Sequence, residues 1–301
     1  MKSYNRWKND SLSNKIFDII NYTVLITAAL LCLYPLYYVL IVSISSRVTD
    51  VYFFPVEPSL DAFKLILEDE KIWIGYGNTI FYTGLGTFCN LLVTLPCAYA
   101  LSRKDFVGRG LVTTFIMITM FIGGGLVPSY LNISKLGLIN TRLVIILMGL
   151  TSAYNIVVSR TFFASSIPGE LLEAAKIDGC GNFGFFTRIV LPLSKPIIAV
   201  MALYFGVARW NSYFTEMIYL KDTAKFPLTL FLRRLLSNIQ ELQAMISEGL
   251  IEDVSGAVAS MQLATVMQYV LIVVSTIPMM IIYPSLQKYF AKGVMIGSVK
   301  G

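Results

Sequence analysis

Five stretches of this chain carry no Asp, Glu, Lys or Arg: Ile19–Ser46, Ile72–Ser102, Gly110–Ser134, Leu143–Ser159 and Val254–Gln287. A helix rises about 1.5 Å per residue, so roughly 20 apolar residues cross the hydrocarbon core of a bilayer. Only helices and closed barrels satisfy a lipid-facing backbone from within, and these runs lack the alternation of barrel strands. A sixth candidate, Pro196–Tyr219, is interrupted by Arg209 and Glu216. The sequence therefore reads as an all-α membrane protein with six transmembrane helices, at about 17–45, 77–101, 111–132, 141–160, 195–218 and 262–288. Composition agrees: 56% hydrophobic and 14% charged residues are outside the range of an ordinary soluble domain.

An even number of spans places both chain ends on one side. Fourteen Lys/Arg residues fall on that side: before the first helix, between the second and third, around the 161–194 loop, and after the last helix. Nine fall in the other three loops, and Arg209 lies within a span. The richer side is cytoplasmic, which puts the 1–16 segment, the 161–194 loop and the 293–301 tail in the cytosol and the 219–261 loop outside. The net charge of +6 then reflects orientation and lipid headgroup contact rather than nucleic acid, which is excluded as a partner. The first apolar run far exceeds the 7–15 residues of a signal-peptide core, so it is expected to stay as a helix. Cys32, Cys89, Cys97 and Cys180 form no C-x-x-C pair and are expected to be free, packed thiols, with no metal site. The chain has no histidine, which removes any mechanism built on one. It also has no phosphate loop of the G-x-x-x-x-G-K-[ST] type. Gly123-Gly124-Gly125 has no Lys behind it and reads as a break near the outer end of the third helix.

The charged segment between the fourth and fifth spans is patterned. Pro168 suits the first turn of a helix, and Glu170 and Glu173 follow near its positive end. Ala174 and Ala175 favour helix and permit close approach of another backbone. Gly179 suits the left-handed position that closes a helix. A second short helix, from about Asn182 to Ile189, would carry Phe183, Phe186 and Ile189 on one side. Pro192 and Pro196 would then stop it and start the fifth span.

Glu173-Ala174-Ala175, Gly179, the nine residues Cys180–Arg188, then Ile189, Leu191 and Pro192 fill every fixed position of E-A-A-x-x-x-G-x(9)-I-x-L-P. That pattern is the EAA loop of bacterial ABC-importer permeases, and the chain resembles that family. Ser166–Leu172 and Trp210-Asn211-Ser212-Tyr213 look like the carbohydrate-importer version. The tail Lys292–Gly301 is similar to the end of the maltose-type second permease. The subgroup resembled includes lipoprotein-like and pectin-fragment uptake permeases. Cys180 departs from the Ala that is commoner after the Asp-Gly pair.

The resemblance implies a MetI-like, multi-pass transport subunit of the bacterial cell membrane, not an enzyme, that imports an oligosaccharide. It implies a heterodimer with a second homologous permease, two cytosolic ATPase subunits and an extracytoplasmic solute-binding protein. No cofactor is expected on this chain; ATP and Mg would be used by the ATPases. Glu173, Ala174, Ala175, Asp178, Gly179 and Pro192 would form the ATPase-coupling segment.

Arg209 within a span costs about 2.5–3.5 kcal/mol on insertion scales, so it should face protein or water. Glu216 lies two turns on, with Tyr213 between. Arg209, Trp210, Asn211, Tyr213 and Glu216 are therefore candidates for a substrate pathway, the aromatics stacking on sugar and the polar groups bonding hydroxyls; packing and an interfacial aromatic belt are the alternative. In the outer segment, Leu228, Phe231, Leu232, Leu235, Leu236, Ile239, Leu242 and Ile246 recur at helical spacing, an amphipathic helix expected to lie on the membrane or the pore's outer gate, or to dock the solute-binding protein. Rival readings are an ABC permease for a non-sugar solute, an ion-driven secondary transporter, and a membrane scaffold. The second calls for buried acids in several spans, where only Glu216 comes close. The third leaves the EAA spacing unexplained.

Overall fold

The computed structural model describes residues 11–48, 53–250 and 254–298. Residues 1–10 of the expected amino-terminal segment, 251–253 of the expected outer loop and 299–301 of the expected tail lie outside the described residues. Among the described residues there is no strand, only an isolated antiparallel bridge between Ser45 and Pro58. The chain divides into two compact units: residues 1–68 with 235–274, and residues 69–234 with 275–301.

The first unit opens with α1 (Leu12–Ser43) and α2 (Asp61–Glu68). Ser11 starts α1 by accepting the Asn14 N–H, and only Val42 and Ser43 of its 32 residues are buried. An apolar rod with so little protein cover needs an apolar solvent, which is lipid.

The second unit holds α3 (Glu70–Ser102), α4 (Arg109–Ile118), α5 (Leu126–Lys135), α6 (Arg142–Met148) and α7 (Ala153–Ser166). Next come α8 (Gly169–Ile177), α9 (Asn182–Phe185), a π-turn over Phe186–Val190, α10 (Leu191–Leu193), α11 (Lys195–Trp210) and α12 (Phe214–Tyr219). The final helices, α13 (Leu228–Ser247) and α14 (Val254–Ser298), belong to both units. Asp69, Thr141 and Ser152 start α3, α6 and α7 by accepting backbone N–H groups of Lys71, Val144 and Asn155. Side chains on α13 follow the expected stripe: Leu228 is buried, Phe231 to Ile246 of the stripe are half-buried, and Glu241, Gln243 and Ala244 are exposed.

Among the described residues, α1, α3 and the 254–281 part of α14 are long and apolar enough to cross a membrane unaided. The number rises to five if two bent pairs each count as one span: α6 with α7, bent by 53°, and Asn182–Leu193 with α11, bent by 82°. The expected spans are thus not all continuous. The third, 111–132, is divided where α4 ends at Ile118 and α5 begins at Leu126, around the Gly123–Gly125 run. The fourth is broken between Met148 and Ala153, and the fifth between Trp210 and Phe214.

Lipid tails are as apolar as Leu, so helices in a bilayer associate through close packing and polar contacts rather than hydrophobic burial. Toward its carboxyl end α3 packs Leu95, Ala98, Tyr99 and Leu101 on Phe163, Ala175, Phe185, Phe186 and Met201. The Tyr99 and Phe186 rings stack at 5.2 Å. Toward its other end, Tyr82 joins Val144, Ile145, Tyr219, Phe226 and Leu230 in a second cluster.

Candidate functional site

The charged segment of α8 is a closed helix standing on one buried residue. Pro168 caps its start at φ −62°. Gly179 ends it at φ +72°. The Gly179 N–H donates to the Lys176 carbonyl at 3.1 Å and the Cys180 N–H to the Ala175 carbonyl at 2.8 Å. This pair of bonds is the Schellman closure, which needs a residue free to enter the left-handed region. Ala175 is buried in the cluster around Tyr99, while Glu173, Ala174, Asp178 and Gly179 are exposed. Ile177 is 87% exposed and Phe183 80%. Two nearly naked apolar side chains and the Glu173 and Asp178 carboxylates thus stand on the exposed side of this segment.

The following helix departs from expectation. Phe183 does not share the buried face; Phe185 and Phe186 do. The expected face divides ahead of the π-turn at Phe186–Val190: Phe183 opens α9 exposed, while Phe186 and the partly buried Ile189 pack on the cluster. Pro192 does not stop the helix either. It lies exposed within α10, and the chain turns two residues later at Ser194.

Arg103, the residue that closes α3, reaches both sides of the Gly179 turn. Its Nε donates to Asp105 Oδ1 at 2.8 Å and its Nη2 to Asp105 Oδ2. Its Nη1 donates to Asn182 Oδ1 at 2.8 Å and to the Tyr99 hydroxyl at 3.2 Å. Lys176 of α8 lies 3.6 Å from Asp105 Oδ2. Hydrogen bonding from Arg103 holds the Asp105 carboxyl well below the usual carboxylate range, so the pair stays ionised at neutral pH. Nearby, Arg160 of α7 donates to the otherwise free Leu101 carbonyl at the end of α3.

Arg209 closes the break in the fourth span. Its Nη1 and Nη2 donate to the carbonyls of Ile145 and Ile146 at 2.6 and 2.9 Å, and its Nε to Asn90 Oδ1 at 3.0 Å. The Asn90 amide donates to the Gly149 and Leu150 carbonyls. The end of α6 thus meets donors from α3 and α11 where its own backbone has none to offer. The guanidinium lies so close to α3 that a Cβ built on Gly86 would stand 2.6 Å from Arg209 Nε.

Beside it lies a cavity of about 120 Å³ lined by Gly149, Arg209, Ser212, Thr215 and Glu216, among others. Glu216 is buried and accepts the Ser212 hydroxyl at 2.9 Å. Trp210 is buried, donates to the Ser275 carbonyl at 3.1 Å and meets Tyr76 edge-on. Asn211 and Tyr213 sit exposed at the break between α11 and α12, with the Arg233 guanidinium 6.0 Å from the Tyr213 ring centre. The five residues of the expected pathway therefore divide: Arg209 and Glu216 share the cavity, Trp210 is packed, and Asn211 and Tyr213 face outward.

Asn78, Gly86, Asn90, Arg103, Asp105 and Gly149 were not singled out from the sequence. Two asparagines within the apolar run Ile72–Ser102 were the available signal. All four cysteines are unpaired. Among the described residues no group of three or more metal-ligating side chains occurs.

Residues 72–296 match the family described as binding-protein-dependent transport system inner membrane component. The chain is 36% identical over 296 residues to the polygalacturonan/rhamnogalacturonan transport system permease protein YtcP of Bacillus subtilis (strain 168), covering 96% of this chain and all of that one. It is 33% identical over 299 residues to protein LplC of the same organism, covering 97% and 98%. A crystal structure of a bacterial ABC transporter involved in the import of the acidic polysaccharide alginate contains a chain similar to it, with a TM-score of 0.79 and 34% identity over 93% of this chain and 99% of that chain.

Proposed function

Because the chain belongs to the family of binding-protein-dependent transport system inner membrane components, we propose that Gly169–Pro192 is the part through which it is driven. The protein is a sugar-type permease subunit of an ATP-binding-cassette importer, a membrane transport component and not an enzyme. Partner ATPase subunits and a solute-binding protein follow from that role. The finer reading is six membrane spans, both termini in the cytosol, the EAA loop between spans four and five, and a heterodimer with a second permease in a bacterial cell membrane. ATP and Mg then belong to two ATPase subunits, and this chain binds no cofactor.

The observation that carries this reading is the closed helix α8: Glu173, Ala174, Ile177 and Asp178 stand out from a base fixed by Ala175. Its apolar tip suits a groove on an ATPase subunit. A tagged chain should bring down an ATPase pair and a second permease. Ile177→Asp, at a side chain with almost no internal packing, should cut the recovered ATPase about 10-fold and leave the second permease in place. Undiminished ATPase would overturn the docking assignment.

For the solute path, Asn211 and Tyr213 are the outward contacts, with Arg209, Trp210 and Glu216 shaping the wall behind them. An oligosaccharide is the cargo. One relative is named for polygalacturonan and rhamnogalacturonan, and a solved neighbour serves import of an acidic polysaccharide, so acidic oligosaccharides are the first to assay. The polar face of α13 is the docking surface for the loaded binding protein. Deleting Asn238–Glu252 should abolish its stimulation of ATP hydrolysis while basal hydrolysis persists; unchanged stimulation would count against docking there.

A further inference from the structure

We infer that Arg103 is the joint that ties the driven segment to α3, and that α3 carries its displacement as one rod to the opposite end of the unit. The inference rests on the permease reading above and adds to it a path and a residue.

The joint is built from both flanks of the Gly179 turn. Lys176 approaches Asp105 from α8, Asn182 accepts from Arg103 at the start of α9, and Arg103 holds Asp105 through two hydrogen bonds. The Arg103 side chain is only 13% exposed. A planar guanidinium with donors on three edges can hold three partners at fixed angles, which an ammonium cannot. The arrangement therefore adds resistance to shear between α8–α9 and the end of α3 to the packing of Ala175, Leu172, Phe185 and Phe186.

The rod is continuous. α3 runs 33 residues as one helix, with Pro96 inside it, a length of roughly 50 Å, whereas α6–α7 and the segment leading into α11 are bent pairs. Along it lie further polar attachments. Near the middle, Asn90 holds the Gly149 and Leu150 carbonyls. Near its start, Asn78 donates to the Ala224 and Phe226 carbonyls at 2.8 and 3.1 Å, and Thr79 accepts the Leu228 N–H at 2.9 Å. A shift imposed at Arg103 thus reaches the break in the fourth span and the segment leading into α13 through one helix. A run of packed and hydrogen-bonded elements can carry coupling between distant sites, and α3 supplies one.

Arg103 touches neither solute nor nucleotide, so it is a positioning residue, and its signature is the ratio of solute moved to ATP hydrolysed. The test uses the whole importer in proteoliposomes with its loaded binding protein, measuring uptake and ATP hydrolysis together. Arg103→Gln should lower uptake per ATP by about 10-fold, Arg103→Lys should recover part of it, and Asp105→Asn, at a half-exposed side chain with little folding risk, should lower it about 3-fold. An unchanged ratio in Arg103→Gln and Asp105→Asn overturns the joint, whether the two activities persist or fall together. If the unaltered chain brings down no ATPase pair, the permease reading fails and the joint with it. If the pair is present and the ratio holds, only the joint fails.

Discussion

Replacing Gly179 by Pro abolishes solute-stimulated ATP hydrolysis by the assembled importer while leaving the chain inserted in the membrane. The native φ of +72° is unreachable for a ring that fixes φ near −65°. Proline also removes the N–H that donates to the Lys176 carbonyl. The closure of α8 is lost at a cost of about 3 kcal/mol or more, and with it the bond from Cys180 to Ala175. Gly179→Ala keeps the donor and meets only the left-handed penalty of about 1–2 kcal/mol, so partial stimulation should survive. Glu173→Lys offers a control of another kind. Its side chain is exposed, the helix stays closed, and the charge presented to the ATPase is reversed; stimulation should again vanish. Hydrolysis in nanodiscs with loaded binding protein, read beside the amount of inserted chain, decides the matter. Normal transport by both Gly179→Pro and Glu173→Lys would remove α8 from the coupling path.

Arg209→Ala lowers the thermal stability of the purified subunit and abolishes uptake together. The substitution strips the Ile145 and Ile146 carbonyls and Asn90 Oδ1 of their donors at once. Each buried group left unmet costs about 1–3 kcal/mol, so a loss on the order of 3 kcal/mol is expected. Asn90→Leu should destabilise similarly, and the double variant should be little worse than the more damaging single one, because both changes break one network. The alternative, a guanidinium serving the sugar directly, gives another result: an unchanged melting midpoint with a raised KM for uptake. Melting in detergent beside uptake kinetics separates the two.

What the sequence showed plainly was local. The α8 segment was readable because its start at Pro168, its exposed acids and its closing Gly179 lie within one short stretch, and each obeys rules of chain geometry. The apolar rods were readable because lipid permits few backbones. The breaks in them were harder. Gly123–Gly125 announced one, but the bend between α6 and α7 is sustained by a side chain 63 residues away and by Asn90, itself 119 residues from Arg209. No periodicity carries that information. Arg209 drew notice as a charge in a span that should face protein or water, with solute and packing both open; carbonyls freed by a broken helix were not visible until the helices were placed. The Phe183 expectation failed for a local reason: a three-residue step falls about 60° short of a full turn, enough to leave the residue at the start of α9 outside the buried face.

The fit of Arg209 between Gly86 and Gly149 limits how this protein can be rearranged. A Cβ added at Gly149 would lie 3.1 Å from Arg209 Nη2, and one at Gly86 closer still. The three positions come from different helices or their ends, and a larger residue at either glycine displaces the Arg209 side chain. Spans of this permease are therefore not interchangeable modules. A chimera that borrows α3 from a relative with a larger residue at position 86 displaces the Arg209 side chain and must then find other donors for the end of α6.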